Sequence, residues 1–321
     1  MSTSMRRMRP MMGTFCIIEV ANAGSLNDGI NEAFVAMQTV SDLMHPINGT
    51  DLSRINNSVA QVIEIDDLTW QVLQLAKHVN ECSDGVFDPC LPSHAGCMRD
   101  VELLSDNQVI CHVPAMIDLG GIAKGFAVDC AVNALIKSGY SCGLVNAGGD
   151  VRVFGENQNV YIKMSRGLTS STAVHPERVQ EDCLENGMLR RAQHERKLEI
   201  AACRVNRKFA YTQPSIAPSL SKDEGLVKIE SGVLQVELFD QALAISQFYH
   251  ADRPVEHQGY YQRDMEALPL HEHVAVVAQS AAVADALTKC GMFLDKVRFE
   301  QLCLHFNAHG VYRKYPAIAE Y

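Results

Sequence analysis

Apolar residues recur at helical spacing between Leu26 and Leu43, at Ile30, Phe34, Val35, Met37, Val40 and Leu43, which predicts an amphipathic helix. The same period runs from Leu68 to Cys82, with Asp67 placed to cap its start. It returns from Ile122 to Ser138, where Gly139 is placed to end it. A further helix is predicted over Ser280 to Gly291. Strand character marks Thr14 to Val20, Gln108 to Asp118 (broken by Pro114), Gly143 to Ala147, Val151 to Phe154 and Val160 to Met164. It resumes at Leu226 to Ile229, Val233 to Leu238, His273 to Val277 and His305 to Tyr312. Met44 to Asn56 reads as a loop. Helices and strands are interspersed irregularly, so the pattern predicts an α+β fold rather than strict βαβ repetition. From 165 to 225 the periodicity gives way to a polar segment with Pro176, Pro214, Pro218 and the charged run LRRAQHERK, read as a peripheral insertion with a solvated face.

Composition narrows the setting. The chain has 321 residues, 47% of them hydrophobic, enough for one large domain or two ordinary ones. A formal charge of -10 does not suit nucleic-acid binding or a polybasic membrane anchor. Eleven cysteines are an odd number in a chain too long to need disulfide staples, so they are expected to be reduced in a cytoplasmic protein. Arg6, Arg7 and Arg9 resemble a basic leader, but Gly13, Thr14 and Glu19 interrupt the apolar stretch that follows, and no secretory signal is expected. No apolar run is long enough to predict a transmembrane helix, and Cys16 follows no leader that would suit a lipid anchor.

Four stretches carry candidate chemistry. In IDLGGIAKGFAVD, Ile117 to Asp129, a strand ends at Asp118, two glycines allow a ligand close to the backbone, and a helix starts near Lys124. Its free N–H groups and dipole suit an anion, although the spacing is neither the Rossmann nor the Walker motif. GLVNAGGDVRVFG, Gly143 to Gly155, places Gly148-Gly149 and Asp150 at the end of a strand. SDGVFDPC, Ser83 to Cys90, offers Phe87 to stack on a planar ring beside the acceptor Asp88. AVADALTK, Ala282 to Lys289, puts Asp285 on an otherwise apolar helix, where a carboxylate must find a partner, a metal or a ligand. Each also reads structurally: a glycine-capped turn, a hairpin, a helix-ending turn with Phe87 in the core, and a local Asp285–Lys289 pair. Cys82, Cys90, His94 and Cys97 match no compact zinc module.

In this order, together with Met12-Gly13-Thr14 and DLSRIN (Asp51 to Asn56), these stretches resemble the ApbE family of FAD:protein FMN transferases, well over about 11–164 and less well over 226–295. The resemblance implies mixed or antiparallel sheets with packed helices in one intertwined unit around a central cleft, spanning 11–295 and interrupted at about 165–225, then a C-terminal strand and tail over 296–321. It implies magnesium-dependent transfer of FMN from FAD to a threonine or serine hydroxyl of an acceptor flavoprotein, with release of AMP. By position, Met12, Val86, Phe87, Asp88, Asp118 and Lys124 would contact FAD. The carbonyl of Gly121 and the Asp285 carboxylate would face the metal.

Two departures stand out. Lys289 holds the position of a metal-binding threonine, so either magnesium binds through fewer ligands, with Thr288, or the Lys289 ammonium takes the cation's place; Asp285 and Lys289 are the catalytic candidates. The family's A-T-S-G appears as ALAISQ with Ile245 and Gln247, and its histidine-containing loop only as QGYYQRDMEALP. His250, His257, His271 and His273 lie nearby and read as surface histidines. A non-catalytic FAD-binding protein, or a pyrophosphatase splitting FAD to FMN and AMP, is therefore the alternative.

Overall fold

Cys16, Ile18 and Val20 are buried while their neighbours along Thr14–Ala21 are half-buried, the period of a strand with one face on a core. A computed structural model describes residues 4–21, 27–46, 49–155, 158–163, 227–230, 233–247 and 269–314. In chain order the elements are β1 (Ser4–Met11), β2 (Thr14–Ala21), α1 (Asn27–Met44), α2 (Asp51–Asn56), β3 (Val62–Glu64), α3 (Asp67–Cys82), β4 (Val101–Leu104), β5 (Gln108–Cys111), α4 (Ala123–Lys137), β6 (Gly143–Ala147) and β7 (Asp150–Phe154). They continue as β8 (Gln158–Lys163), β9 (Val227–Glu230), β10 (Val233–Leu238), β11 (Ala242–Gln247), β12 (His271–Ala278), α5 (Ala281–Phe293), α6 (Lys296–His305) and β13 (His309–Lys314). The fold is α+β.

Seven strands form an antiparallel sheet in the order β1-β2-β6-β7-β11-β12-β13. A three-stranded sheet, β3-β5-β4, is also antiparallel. Helix α4 packs on α1 and α5 and on strands β6 and β7, while α5 lies on β11 and β12. The chain divides into two compact units, one built from Met1–Glu156 and Phe239–Tyr321, the other from Asn157–Leu238. The first draws on both ends of the sequence, so its sheet is closed by strands far apart in the chain. The second contains the antiparallel sheet β8-β10-β9.

Helix ends follow local chemistry. After α4, Gly139 takes φ 90° and donates to the Ile136 carbonyl, while Tyr140 donates to the Leu135 carbonyl, the paired bonds of a Schellman turn. Helix α3 starts one residue earlier than its sequence suggests: Asp66, not Asp67, is the cap, accepting from the Leu68 N–H.

Several elements differ from the sequence expectation. The basic start is strand β1, paired along its length with β2 through a Met12-Gly13 turn in which both residues have positive φ, as a two-residue hairpin requires. Its Arg6, Arg7, Arg9 and Pro10 sit on a sheet edge, where charge and proline discourage further pairing. Asp51–Asn56 is a short helix and not loop. β5 stops at Cys111, well before Asp118. ALAISQ is the inner strand β11. The C-terminal segment holds α6 before its strand: Phe299, Leu302 and Cys303 are buried at helical spacing and Asp295 caps its start. The segment read as an insertion, 165–225, lies outside the described residues.

Candidate active site

Three of the sequence stretches are tied together by backbone and amide bonds. Asn56, at the end of DLSRIN, brackets Ile117: its Nδ2 donates to the Ile117 carbonyl (2.9 Å) and its Oδ1 accepts from the Ile117 N–H (2.8 Å). Asp118 N–H donates to the Pro89 carbonyl and Leu91 N–H to the Met116 carbonyl, which joins SDGVFDPC to IDLGG. Asp118 Oδ1 accepts from Gly120 N–H at 2.7 Å and so shapes the glycine turn. Asp88 is buried and does similar work, accepting from the N–H groups of Cys90 (2.9 Å) and Met98 (3.2 Å). Phe87 is fixed by its backbone: its N–H donates to Ser83 Oγ and its carbonyl accepts from Asn80. Its ring is buried in the core and comes close to Gly121, where an added Cβ would stand 3.5 Å from Cε2. Val86, half-buried beside it, packs on the core.

Helix α4 begins beyond this turn with no side-chain cap at Ile122. The start of α5 meets it closely. A Cβ on Gly125 would lie 2.2 Å from the Ala281 carbonyl oxygen, so only glycine lets the two helices approach. Each helix supplies an acid to the other's N-terminus. Asp129 of α4 accepts from Ala281 and Ala282 N–H (2.9 and 3.0 Å), and Asp285 Oδ2 of α5 lies 3.4 Å from Gly125 N. Burial pushes the Asp129 carboxyl up, against the pull of Arg152, which pairs with it at 2.7 Å.

Two lysines and two carboxylates meet at this junction. Lys124 Nζ lies 2.8 Å from Asp150 Oδ2 and 3.9 Å from Asp285 Oδ2. Lys289 Nζ pairs with Asp285 Oδ1 and donates to Ser246 Oγ (2.9 Å) and Thr288 Oγ1 (3.2 Å). Ser246 and Thr288 are themselves 2.7 Å apart, and the Thr288 hydroxyl donates to the Asp285 carbonyl. Asp285 and Thr288 are wholly buried. Burial opposes ionisation of Asp285, but Lys124 and Lys289 outweigh it and hold the carboxyl below its usual range. Asp150 moves the other way: burial and the Asp285 charge raise it more than Lys124 lowers it.

Of the residues singled out from sequence, Gly121, Phe87, Asp285, Thr288, Lys289 and Lys124 therefore lie around one junction. A Cβ on Gly121 would be 3.6 Å from Lys289 Cγ. Met12 sits at the β1–β2 hairpin tip; Thr14 beyond it packs against Gly148, where an added Cβ would meet its Oγ1 at 2.6 Å. Two participants have no role assigned from sequence. Asp150 appears there only as the residue after a glycine pair, and Ser246 as the unchanged member of ISQ; the acid directly after Gly-Gly was the available signal. His271 and His273 are not surface residues: both are 3% exposed on β12, and His271 Nδ1 meets the Gly291 carbonyl at 2.7 Å. Inward-facing positions of a sheet strand, two apart, place them so. His250 and His257 lie outside the described residues.

The oxygen set of Asp285, Thr288 and Ser246 is of the hard kind that magnesium prefers. Here those oxygens surround the Lys289 ammonium, and the two acids are already balanced by two lysines. Without a substrate's phosphates, a divalent ion at the same carboxylate would add uncompensated positive charge in a buried site. The residues as packed do not fit magnesium beside Asp285 while Lys289 stands there.

The sequence profile of the ApbE family matches residues 12–98 and 93–181, more than half of the chain. The chain belongs to the ApbE family. It resembles solved ApbE structures. The flavinyl transferase ApbE of Pseudomonas stutzeri in its apo form shares 14% identity, with 98% of this chain and 92% of that one covered at a TM-score of 0.66. The flavin transferase ApbE of Vibrio cholerae shares 15%, with 99% and 95% covered at 0.64. The ApbE protein of Thermotoga maritima shares 19%, with 97% and 94% covered at 0.60. No curated protein matches in sequence. The ApbE match reaches across Met12, Phe87, Asp118 and Lys124 but stops short of Asp285 and Lys289.

Proposed function

We propose that this ApbE-family chain is a flavin transferase, moving FMN from FAD to a threonine or serine hydroxyl of an acceptor protein and releasing AMP. The observation that carries the reading is the junction itself: the Phe87 ring, the Gly120-Gly121 turn, the α4 N-terminus with Asp285 against it and the Asp285–Lys289 pair lie side by side, although 160 residues separate Gly125 from Asp285. Phe87 is 5% exposed and its ring packs in the core, so it backs the glycine turn that faces the nucleotide, and a helix N-terminus with two ammonium groups suits a pyrophosphate. In this reading Met12 and Val86 line the nucleotide. Asp88 and Asp118 act by holding the turns that face it, and Lys124 contacts its phosphates.

In the transfer the acceptor oxygen bonds to the FMN-side phosphorus. The bond from that phosphorus to the bridging oxygen breaks, AMP leaves with that oxygen, and the hydroxyl proton is released. Charge must be neutralised on the phosphate oxygens and on the leaving AMP. Lys289 and Lys124 supply that charge, and Asp285 and Thr288 hold the Lys289 ammonium in place of the metal. The cytoplasmic setting expected from the cysteines belongs to the same proposal. Among the described residues the nine cysteines form no disulfide, burial pushes Cys16, Cys130, Cys290 and Cys303 up to about 12, and no helix is long and apolar enough to cross a membrane.

The test incubates purified protein with FAD and an acceptor domain, with magnesium or with chelator, and follows AMP release and acceptor mass. An FMN-sized mass gain is expected in both conditions. AMP without labelling would mean that water replaces the acceptor, giving the pyrophosphatase. FAD bound with neither product sinks the enzymatic reading in favour of a flavin-binding protein.

A further inference from the structure

At the opposite end of α3 from its Asp66 cap, His78 and Cys82 lie four residues apart and so share one helix face. His305 closes α6 and reaches the same point. Cys82 Sγ is 3.2 Å from His305 Nε2 and 3.7 Å from His78 Nδ1, and all three donor atoms lie within 4.8 Å of one another. Around a tetrahedral zinc ion, with Zn–S of about 2.3 Å and Zn–N of about 2.0–2.1 Å, sulfur and nitrogen ligands stand roughly 3.6 Å apart. The two S···N separations bracket that value.

We infer that His78, Cys82 and His305 form a binding site for a borderline divalent transition metal of the zinc class, separate from the flavin junction. The donor set chooses the ion: a thiolate with two imidazoles suits zinc, cobalt or nickel and not magnesium or calcium. Both histidines are exposed and Cys82 is half-buried, which leaves an entry path. Phe306 makes T-shaped contacts with both imidazoles, its ring 5.2 Å from His78 and 5.1 Å from His305. Cys82 and His305 also line a cavity of ≈ 320 Å³ with Arg298 and Gln301, so a fourth coordination position opens on space for a water or a small anion. The cysteines nearest in sequence do not join: Cys90 is buried, and Cys97 Sγ contacts Asp100 Oδ2 at 3.2 Å. The arrangement was hidden from sequence because His305 is 223 residues from Cys82. A bound ion would tie the end of α3 to the end of α6.

Cobalt titration of the reduced, chelator-stripped full chain tests the site. One equivalent should produce thiolate-to-cobalt absorption in the near ultraviolet with tetrahedral bands in the visible, and zinc should displace it. The thiolate band should vanish in Cys82→Ser and persist in Cys97→Ser. His78→Ala and His305→Ala should each weaken affinity at least about tenfold, since even residues behind metal ligands act on that scale. Far-ultraviolet circular dichroism checks that each variant remains folded. Absence of the thiolate band in the wild-type chain overturns the assignment, as does an unchanged band in Cys82→Ser or unchanged affinity in either histidine variant.

Discussion

In the proposed transfer, Lys289 stands where a cation would serve. Its ammonium takes oxygens from Asp285, Ser246 and Thr288, the donors a metal would otherwise use. Replacing it with threonine removes the charge and adds another hard oxygen to the set. Turnover of the native chain should persist in chelator, whereas the Lys289→Thr variant should depend on added magnesium. Identical magnesium titrations for the two proteins would refute the ammonium's role. Asp285 anchors the same group from a wholly buried position, so Asp285→Ala leaves Lys289 and Lys124 short of a counter-charge. Breaking a buried pair in this way costs about 3–5 kcal/mol. Loss of turnover is expected together with a lower denaturation midpoint; full activity in a folded Asp285→Ala variant would remove it from the site. The pairing of Asp285 with Lys289 was legible from their four-residue spacing. The burial of Ser246 and of His271 and His273 was not, because sequence alone did not show that β11 and β12 are inner strands of the large sheet.

Helices α4 and α5 do the positioning, and their contact rests on one glycine and one acid. Gly125 meets the backbone of Ala281 and Ala282 rather than the flexible end of a side chain, so neither partner can yield cheaply. Overpacking of this kind costs about 1–3 kcal/mol or more. Gly125→Ala should lower the midpoint of chemical denaturation and separate Lys124 from Asp285. A variant as stable as the native chain would mean that the helices part easily. Asp129→Ala should remove two N-terminal bonds of α5, leaving that of Val283 to the Ser280 cap, and the partner of Arg152, a loss of about 1–2 kcal/mol on the scale of helix caps. Thermal melts of Asp129→Ala and Asp129→Asn check this, with the asparagine variant between alanine and native. Strands β6 over Gly143–Ala147 and β10 over Val233–Leu238 were legible from sequence to the residue. Strand β1 was not, since its SMRRMRPM has no apolar alternation and its pairing comes from the Met12-Gly13 turn. Helix α6 did carry a signal, Phe299, Leu302 and Cys303 at helical spacing after Asp295, but it is short and ends where a strand was expected.

At the scale of the molecule, one compact unit is interrupted by another. The chain leaves the first unit after β7 and returns just before β11, and its two ends are stitched together there. Gly155 N–H donates to Asp240 Oδ1 at 2.7 Å, and Val153 N–H donates to the Gln241 carbonyl at 2.9 Å. Strand pairing between β7 and β11 continues from that point, with Ala242 opposite Arg152 and Leu243 opposite Val151. A short flexible linker can therefore replace Asn157–Leu238 without pulling the sheet apart. Each halving of a loop relieves only about 0.6 kcal/mol of closure entropy, so the shortened chain should be as stable as the native one or slightly more so. The single tryptophan makes the measurement specific. Trp70 lies on α3 in the first unit, with its indole N–H donating to the Leu104 carbonyl at 3.2 Å, so its fluorescence reports that unit. A cooperative transition at or above the native midpoint is expected for the shortened chain. Loss of the transition would show that the segment between β7 and β11 is needed to complete the core that carries the site.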